Sequence, residues 1–271
     1  MLILKIQQVR VQRDRRPQIP GRHGEGRYWL RHPQNWTSLS ARAHRQQHSI
    51  RTCEGLQDYK LLNYDGVFGL GFGEVNGLSS PIKQLAHHGV IPSALLTAYI
   101  YNQGHNNTVD GVLTIGEVDK RRCGAVEGFA ETVRAADAWV FSSPSFNIST
   151  TNGTSNGSWL GVLDFNTDYF QVPRAAVKLI QNKLSGSIDE DGRIIYHCFK
   201  YAELFFNIGG QPLALDTPMF SEPYRGQMCR LKIKETDPSD KYAFRFGWLI
   251  LHRHCMVLDY NGRLAFTPKT V

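Results

Sequence analysis

Phe244-Arg245-Phe246-Gly247-Trp248-Leu249-Ile250-Leu251-His252-Arg253-His254-Cys255-Met256-Val257-Leu258-Asp259, followed by Arg263-Leu264-Ala265-Phe266-Thr267-Pro268, is the stretch on which the fold turns. Its long apolar part, 248–258, is one of a series of short runs rich in Val, Ile, Leu, Phe and Tyr. Others are 66–72, 96–101, 111–115, 139–141, 159–163, 193–196, 204–208 and 228–233. Gly, Pro, Asn and Asp break the series, and that spacing predicts an all-β body from residue 64 onward. Two stretches read as short helices. One is 80–88, opened by Pro81 in its first turn. The other is 173–184, whose Ala176, Val177, Ile180 and Leu184 fall three or four residues apart. Residues 147–158 read as a polar, glycine-bearing loop without core-forming residues.

The chain has 271 residues and 41% hydrophobic content, enough to bury a real core. No stretch approaches the roughly 18 to 20 apolar residues of a membrane-spanning helix. The net charge of +7 is unevenly placed. Residues 1–50 hold Lys5 and nine arginines against Asp14 and Glu25, whereas 51–271 hold 21 bases and 22 acids. The basic character therefore belongs to an arm and says nothing for nucleic-acid binding by the body. Residues 1–60 show poor hydrophobic periodicity and read as weakly structured. Tyr28, Trp29 and Trp36 among arginines would suit base stacking, but a plain solvated segment is the preferred reading.

Met1 to Ile6 is interrupted by Lys5 and is too short for a secretory signal. Asn-x-Ser/Thr acceptors nevertheless stand at Asn35, Asn106, Asn147, Asn152 and Asn156, where chance would give about one or two. That excess points to the secretory route. The five cysteines show no Cys-x-x-Cys spacing, so a zinc ribbon is not expected. His252 and His254 alternate on one predicted strand and form a minority metal reading. Gly69-Leu70-Gly71-Phe72-Gly73 lacks the βαβ surround of a phosphate loop.

Several segments carry a family resemblance. Tyr64-Asp65-Gly66-Val67-Phe68-Gly69-Leu70 and Gly111-Val112-Leu113-Thr114-Ile115-Gly116-Glu117-Val118-Asp119 are two of them. Leu160-Gly161-Val162-Leu163-Asp164-Phe165-Asn166-Thr167-Asp168 is another, and the opening stretch completes the set. In this order and spacing they resemble the pepsin-like aspartic peptidases, over residues 64–271, and are most similar to the secreted forms of nematodes. The resemblance implies an all-β, bilobal pepsin-like fold with an incomplete N-terminal lobe and an intact C-terminal lobe. It divides the chain into a basic, non-matching segment 1–60, a remnant of the N-terminal lobe with interlobe strands at 61–144, and a C-terminal lobe at 145–271. It also implies a Cys198–Cys229 disulfide, a second bond Cys123–Cys255, and Gly247 as a structural glycine. Cys53 is left odd.

The family's chemistry needs two carboxylates about 3 Å apart sharing one proton, because both cannot ionise together. Asp164 matches the second of these acids, in a degenerate loop formed by Asp164, Phe165, Asn166 and Thr167. Phe165 stands where the family's Thr grips the opposite loop, and Asn166 replaces a Gly. Asp168 adds an acid four residues on, which would raise the pKa of Asp164. Upstream of Asp65 the sequence has only Asp14 and Asp58, neither in an Asp-Thr/Ser-Gly setting, and no flap tyrosine. The expectation is therefore a pepsin-like endopeptidase relative that is catalytically impaired, needs no cofactor, and takes a polypeptide in any interlobe cleft. A secretory or lysosomal location goes with it. Two alternatives stand beside it: a secreted non-catalytic peptide-binding protein, and a polyanion or nucleic-acid binder working through the basic arm. A peptidase with a mis-assembled N-terminal part is a further reading, against which Phe165 and Asn166 count. A partly open first lobe is also expected, since its interlobe strand is not recognised.

Overall fold

The computed structural model describes residues 3–6, 9–10, 26–31, 36–41, 66–74, 79–101, 111–133, 138–142, 145–148, 155–156, 159–164, 167–208 and 210–270. Contacts divide the chain into two compact units, Ile3–Gly69 and a larger unit formed by Leu70–Val271 with Met1–Leu2. In the smaller unit, Ile3–Ile6 pairs antiparallel with Gly66–Gly69, and Val9–Arg10, Gly26–Arg31 and Trp36–Ala41 form a three-stranded sheet. Cys53, Asn35, Asn106, Asn152, Phe165 and Asn166 lie outside the described residues.

The larger unit is all-β around two helices, in keeping with the run-and-turn pattern of the sequence. Helix α1 (Pro81–His87) starts where Ser80 accepts a hydrogen bond from the Ile82 N–H at 3.3 Å, with Pro81 occupying the first turn. Helix α2 (Arg174–Leu184) buries Ala176, Val177, Ile180 and Leu184, the four residues singled out by their spacing. It ends on Ser185, whose φ of 46° is left-handed.

Three sheets surround these helices. A five-stranded sheet runs Gly111–Ile115, Leu95–Ile100, His254–Asp259, Arg263–Pro268, Ala130–Glu131. A four-stranded sheet runs Ser155–Asn156, Ser145–Ile148, Glu203–Ile208, Gln211–Asp216. In its third strand Leu204, Phe206 and Ile208 alternate into the core with a period of two. The largest sheet has eight strands among the described residues and contains Leu160–Leu163, Phe170–Val172 and Phe244–Phe246.

Aromatic side chains fill the space between sheets. Phe206 sits edge-on to both Phe244 and Phe246, at ring-centre separations of 5.6 and 5.1 Å. Trp139 is fully buried against Phe72 and Tyr260. Its indole N–H and the Tyr260 hydroxyl both donate to the Leu70 carbonyl, which satisfies the polar ends of two buried rings. Disulfides join Cys123 to Cys255, buried beside Tyr99, and Cys198 to Cys229.

Two sequence expectations need correction. Residues 248–252 form a 3-10 turn, and the strand starts only at His254. Leu249, Ile250 and Leu251 are buried consecutively, which a half-buried strand cannot do because its side chains alternate. Residues 147–158 are not simply a polar loop either. Phe146, Asn147 and Ile148 pair with Phe206, Phe205 and Leu204, and Ile148 is buried. Ser155–Asn156 returns antiparallel to Ser145 and Phe146.

Candidate functional site

The strand Phe244–Phe246 lies between Leu160–Leu163, to which it is parallel, and Phe170–Val172, to which it is antiparallel. Asp164, at the end of the one strand, and Thr167–Tyr169, leading into the other, therefore meet over the end of the middle strand, at Gly247. A Cβ on Gly247 would come within 2.6 Å of the carbonyl oxygens of both Thr167 and Tyr169. Only a glycine admits that crossing, which is the physical content of the structural glycine expected from sequence. Hydrogen bonds lock the crossing. The Asp164 N–H donates to the Phe246 carbonyl at 3.0 Å, the Trp248 N–H to Thr167 at 3.3 Å, and the Tyr169 N–H to the Thr167 hydroxyl at 3.2 Å. Gly161 serves similarly underneath, where a Cβ would lie 3.0 Å from the rings of Phe141 and Phe246.

Arg245 points the other way from its two phenylalanine neighbours, since strand side chains alternate. That brings its guanidinium to the face carrying Asp164, 81 residues earlier in the chain. Arg245 Nη1 lies 3.4 Å from Asp164 Oδ2, while Nε and Nη2 donate to Asp240 Oδ2 at 2.8 and 2.6 Å. Asp240 Oδ1 accepts the Tyr242 N–H at 3.1 Å. Burial alone would push the Asp240 carboxyl up, but the Tyr242 N–H and the Arg245 charge outweigh it and hold it below the ordinary carboxylate value.

Asp164, Asp240 and Arg245 line an open depression of about 600 Å³, together with Gln171, Glu235 and Asp237. Asp237 is turned to its own loop, accepting from the N–H and hydroxyl of Ser239. Asp168 turns to a base on another strand. It is half-exposed and paired with Lys232 at 2.9 Å. The structure thus brings Asp164 and Thr167 to one crossing, with Phe165 and Asn166 outside the described residues. It adds Arg245 and Asp240, which the sequence reading did not select. The available signal for Arg245 was a cation alternating between two phenylalanines beside a structural glycine.

The minority reading of His252 and His254 as metal ligands alternating on one strand is not met, because one ends the 3-10 turn and the other opens the strand. Among the described residues no group of three or more His, Cys, Asp or Glu is placed to hold a metal ion. None of the described helices is long and apolar enough to cross a membrane. Asn147 lies within the sheet with its Oδ1 buried, while Asn156 sits on the edge strand.

Residues 44–265 match the model of a family described as eukaryotic aspartyl protease. The chain is also 23% identical over 228 residues to Aspartic protease 6 of Caenorhabditis elegans, covering 78% of this chain and 56% of that protein. It spans about half the length of the curated relative it matches.

Proposed function

Because the chain belongs to the eukaryotic aspartyl protease family, we propose that its depression at Asp164 is the remnant of a proteolytic centre that no longer cleaves peptide bonds and serves polypeptide binding. The carrying observation is the partner that the fold gives Asp164. Proton-sharing catalysis needs a second acid opposite the first, one to activate water and one to polarise the scissile carbonyl. Among the described residues, the ion-pair partner of Asp164 is Arg245. A guanidinium is always charged in a protein, so it can neither receive nor return the proton that the mechanism passes between acids. Asp240 takes the other side of the same guanidinium and fixes it in place.

The sequence of the loop supports the same reading. Phe165 has no hydroxyl for a grip across the site, and Asn166 carries a side chain where a Gly is expected. A secretory or lysosomal setting fits the family, the disulfides and the acceptor sites, since disulfides persist in oxidising compartments. The acidic lining of the depression gives no support to nucleic-acid binding there.

The test is incubation of the purified chain with an unfolded protein substrate between about pH 3 and pH 6, where a paired-carboxylate centre would titrate. No cleavage above an Asp164→Ala control is expected. Cleavage that this substitution abolishes would defeat the proposal. Binding of unfolded peptides that survives Asp164→Ala but weakens on filling the depression, as with Gln171→Trp, is expected alongside.

A further inference from the structure

Two histidines that the proposed function leaves unused sit at the meeting of two sheets. The His252 ring packs on Trp248 at 5.2 Å between centres. Its carbonyl accepts from Lys269 Nζ at 2.8 Å, and the same ammonium donates to Ile100 at 2.6 Å above the ring of Tyr99. His254 Nε2 meets the Ala214 carbonyl at 3.1 Å, across the boundary between the five-stranded and four-stranded sheets. His254 also forms one wall of a cavity of about 180 Å³, whose apolar walls include Ile208 and Leu213 on one sheet and Phe266 and Pro268 on the other. The cavity is too small for an ordinary small-molecule site. It is a void at a sheet-to-sheet joint, and its polar lining is His254 and Glu127.

Cations act on both imidazoles. Lys269 and Lys232 act on His252, and Arg253 and Lys269 act on His254. Asp216 pairs with Arg253 and Asp168 with Lys232, while Glu127 lines the cavity alongside His254. We propose that this joint is an acid-sensitive release, in which protonation of His252 and His254 beside Lys269 loosens the hairpin 203–216 from the strands His254–Asp259 and Arg263–Pro268.

Burial and the neighbouring cations hold both imidazoles below their ordinary value, with the Ala214 carbonyl partly opposing this at His254. Burial likewise pushes Lys269 down to about 8, so it is still largely charged when the histidines titrate. The unfolded chain takes up these protons first. The stability that depends on the two neutral imidazoles is therefore fully present above about pH 6.5 and falls as the pH drops through their lower folded-state values. Protonating His254 also places a charge on the wall of that cavity between the two sheets, which favours water entry there. This device does not rest on the Asp164 reading.

Amide hydrogen exchange of the full chain at pH 7.5 and pH 5.0, corrected for intrinsic rates, tests it. Gln211–Asp216 and His254–Asp259 are expected to open more readily at pH 5.0 than at pH 7.5. Phe170–Val172 in the large sheet is expected to stay unchanged. In a His252→Gln, His254→Gln double variant the acid-induced difference is expected to vanish. Equal protection of the two strands at both pH values would overturn the proposal, as would the same acceleration in a folded double variant. If that variant fails to fold, Lys269→Met decides, since it keeps both imidazoles and should reduce the acceleration. An undiminished response there would overturn the role of Lys269.

Discussion

Gly247→Ala tests the chain crossing on which the Asp164 site depends. The backbone of Gly247, at φ −73° and ψ 178°, suits alanine well, so conformational preference alone predicts little cost. Sterics predict the opposite. The new methyl would stand 2.6 Å from two carbonyl oxygens and 3.3 Å from the Tyr169 carbonyl carbon, all backbone atoms that cannot rotate away. Relief requires the 167–169 segment to lift by roughly half an ångström or more. That strains the Trp248-to-Thr167 and Asp164-to-Phe246 hydrogen bonds. Overpacking of this kind costs about 1–3 kcal/mol, and weakening a buried backbone hydrogen bond adds about 1. We expect a loss of about 3 kcal/mol by urea unfolding with an unchanged denaturant slope, equivalent to a midpoint lowered by roughly 6–12 °C. Gly192→Ala is the control. Its φ is +75° but nothing lies within 4 Å of the added Cβ, so it should lose only about 1 kcal/mol. A Gly247→Ala protein within 0.5 kcal/mol of the native chain would refute the crossing geometry.

Three further expectations follow from named contacts. Arg245→Met leaves the Asp240 carboxylate without its two shortest partners and should cost about 2 kcal/mol in urea at pH 7. Because the folded-state pKa of Asp240 is depressed, that penalty should shrink as pH falls below about 4 through the folded value; a pH-independent penalty would contradict it. Ser185→Gly relieves a left-handed residue at the end of helix α2 and should raise stability by about 0.5–1 kcal/mol in thermal melts, where a loss would argue against that backbone geometry. Replacing both members of Cys123–Cys255 by Ala frees a loop of 132 residues and should cost about 5 kcal/mol. Removing Cys198–Cys229, with its separation of 31, should cost about 4, and the reverse order would show that loop entropy is not the controlling term.

Much of this was legible in sequence, for reasons that differ by element. Helix α2 is legible because a polar surface and four spaced apolar residues make a one-sided pattern that only a helix can bury. Gly247 is legible through the motif around it, although its reason, two facing carbonyls, is visible only once Thr167 and Tyr169 are in place. The turn Trp248–His252 is not legible, since consecutive Leu, Ile and Leu read equally as a buried strand. Asn147 and Ile148 are masked by the polar residues after them, and their strand is defined by pairing with Phe205 and Leu204, more than 50 residues away. The Arg245–Asp164 contact exists only because two distant strands run parallel, a non-local fact that no local pattern carries.

The threading of Phe244–Phe246 between two strands made long before it sets an order of events during synthesis. Gly161 pairs with Phe244, so the Asp164 loop has no floor until Phe244 has left the ribosome. Until then the Phe141 and Phe170 rings and the flanking ladders wait without their central partner, the sort of exposure that chaperones engage. A nascent chain halted before Phe244 would hold the acid-bearing segment and yet possess no pocket at all.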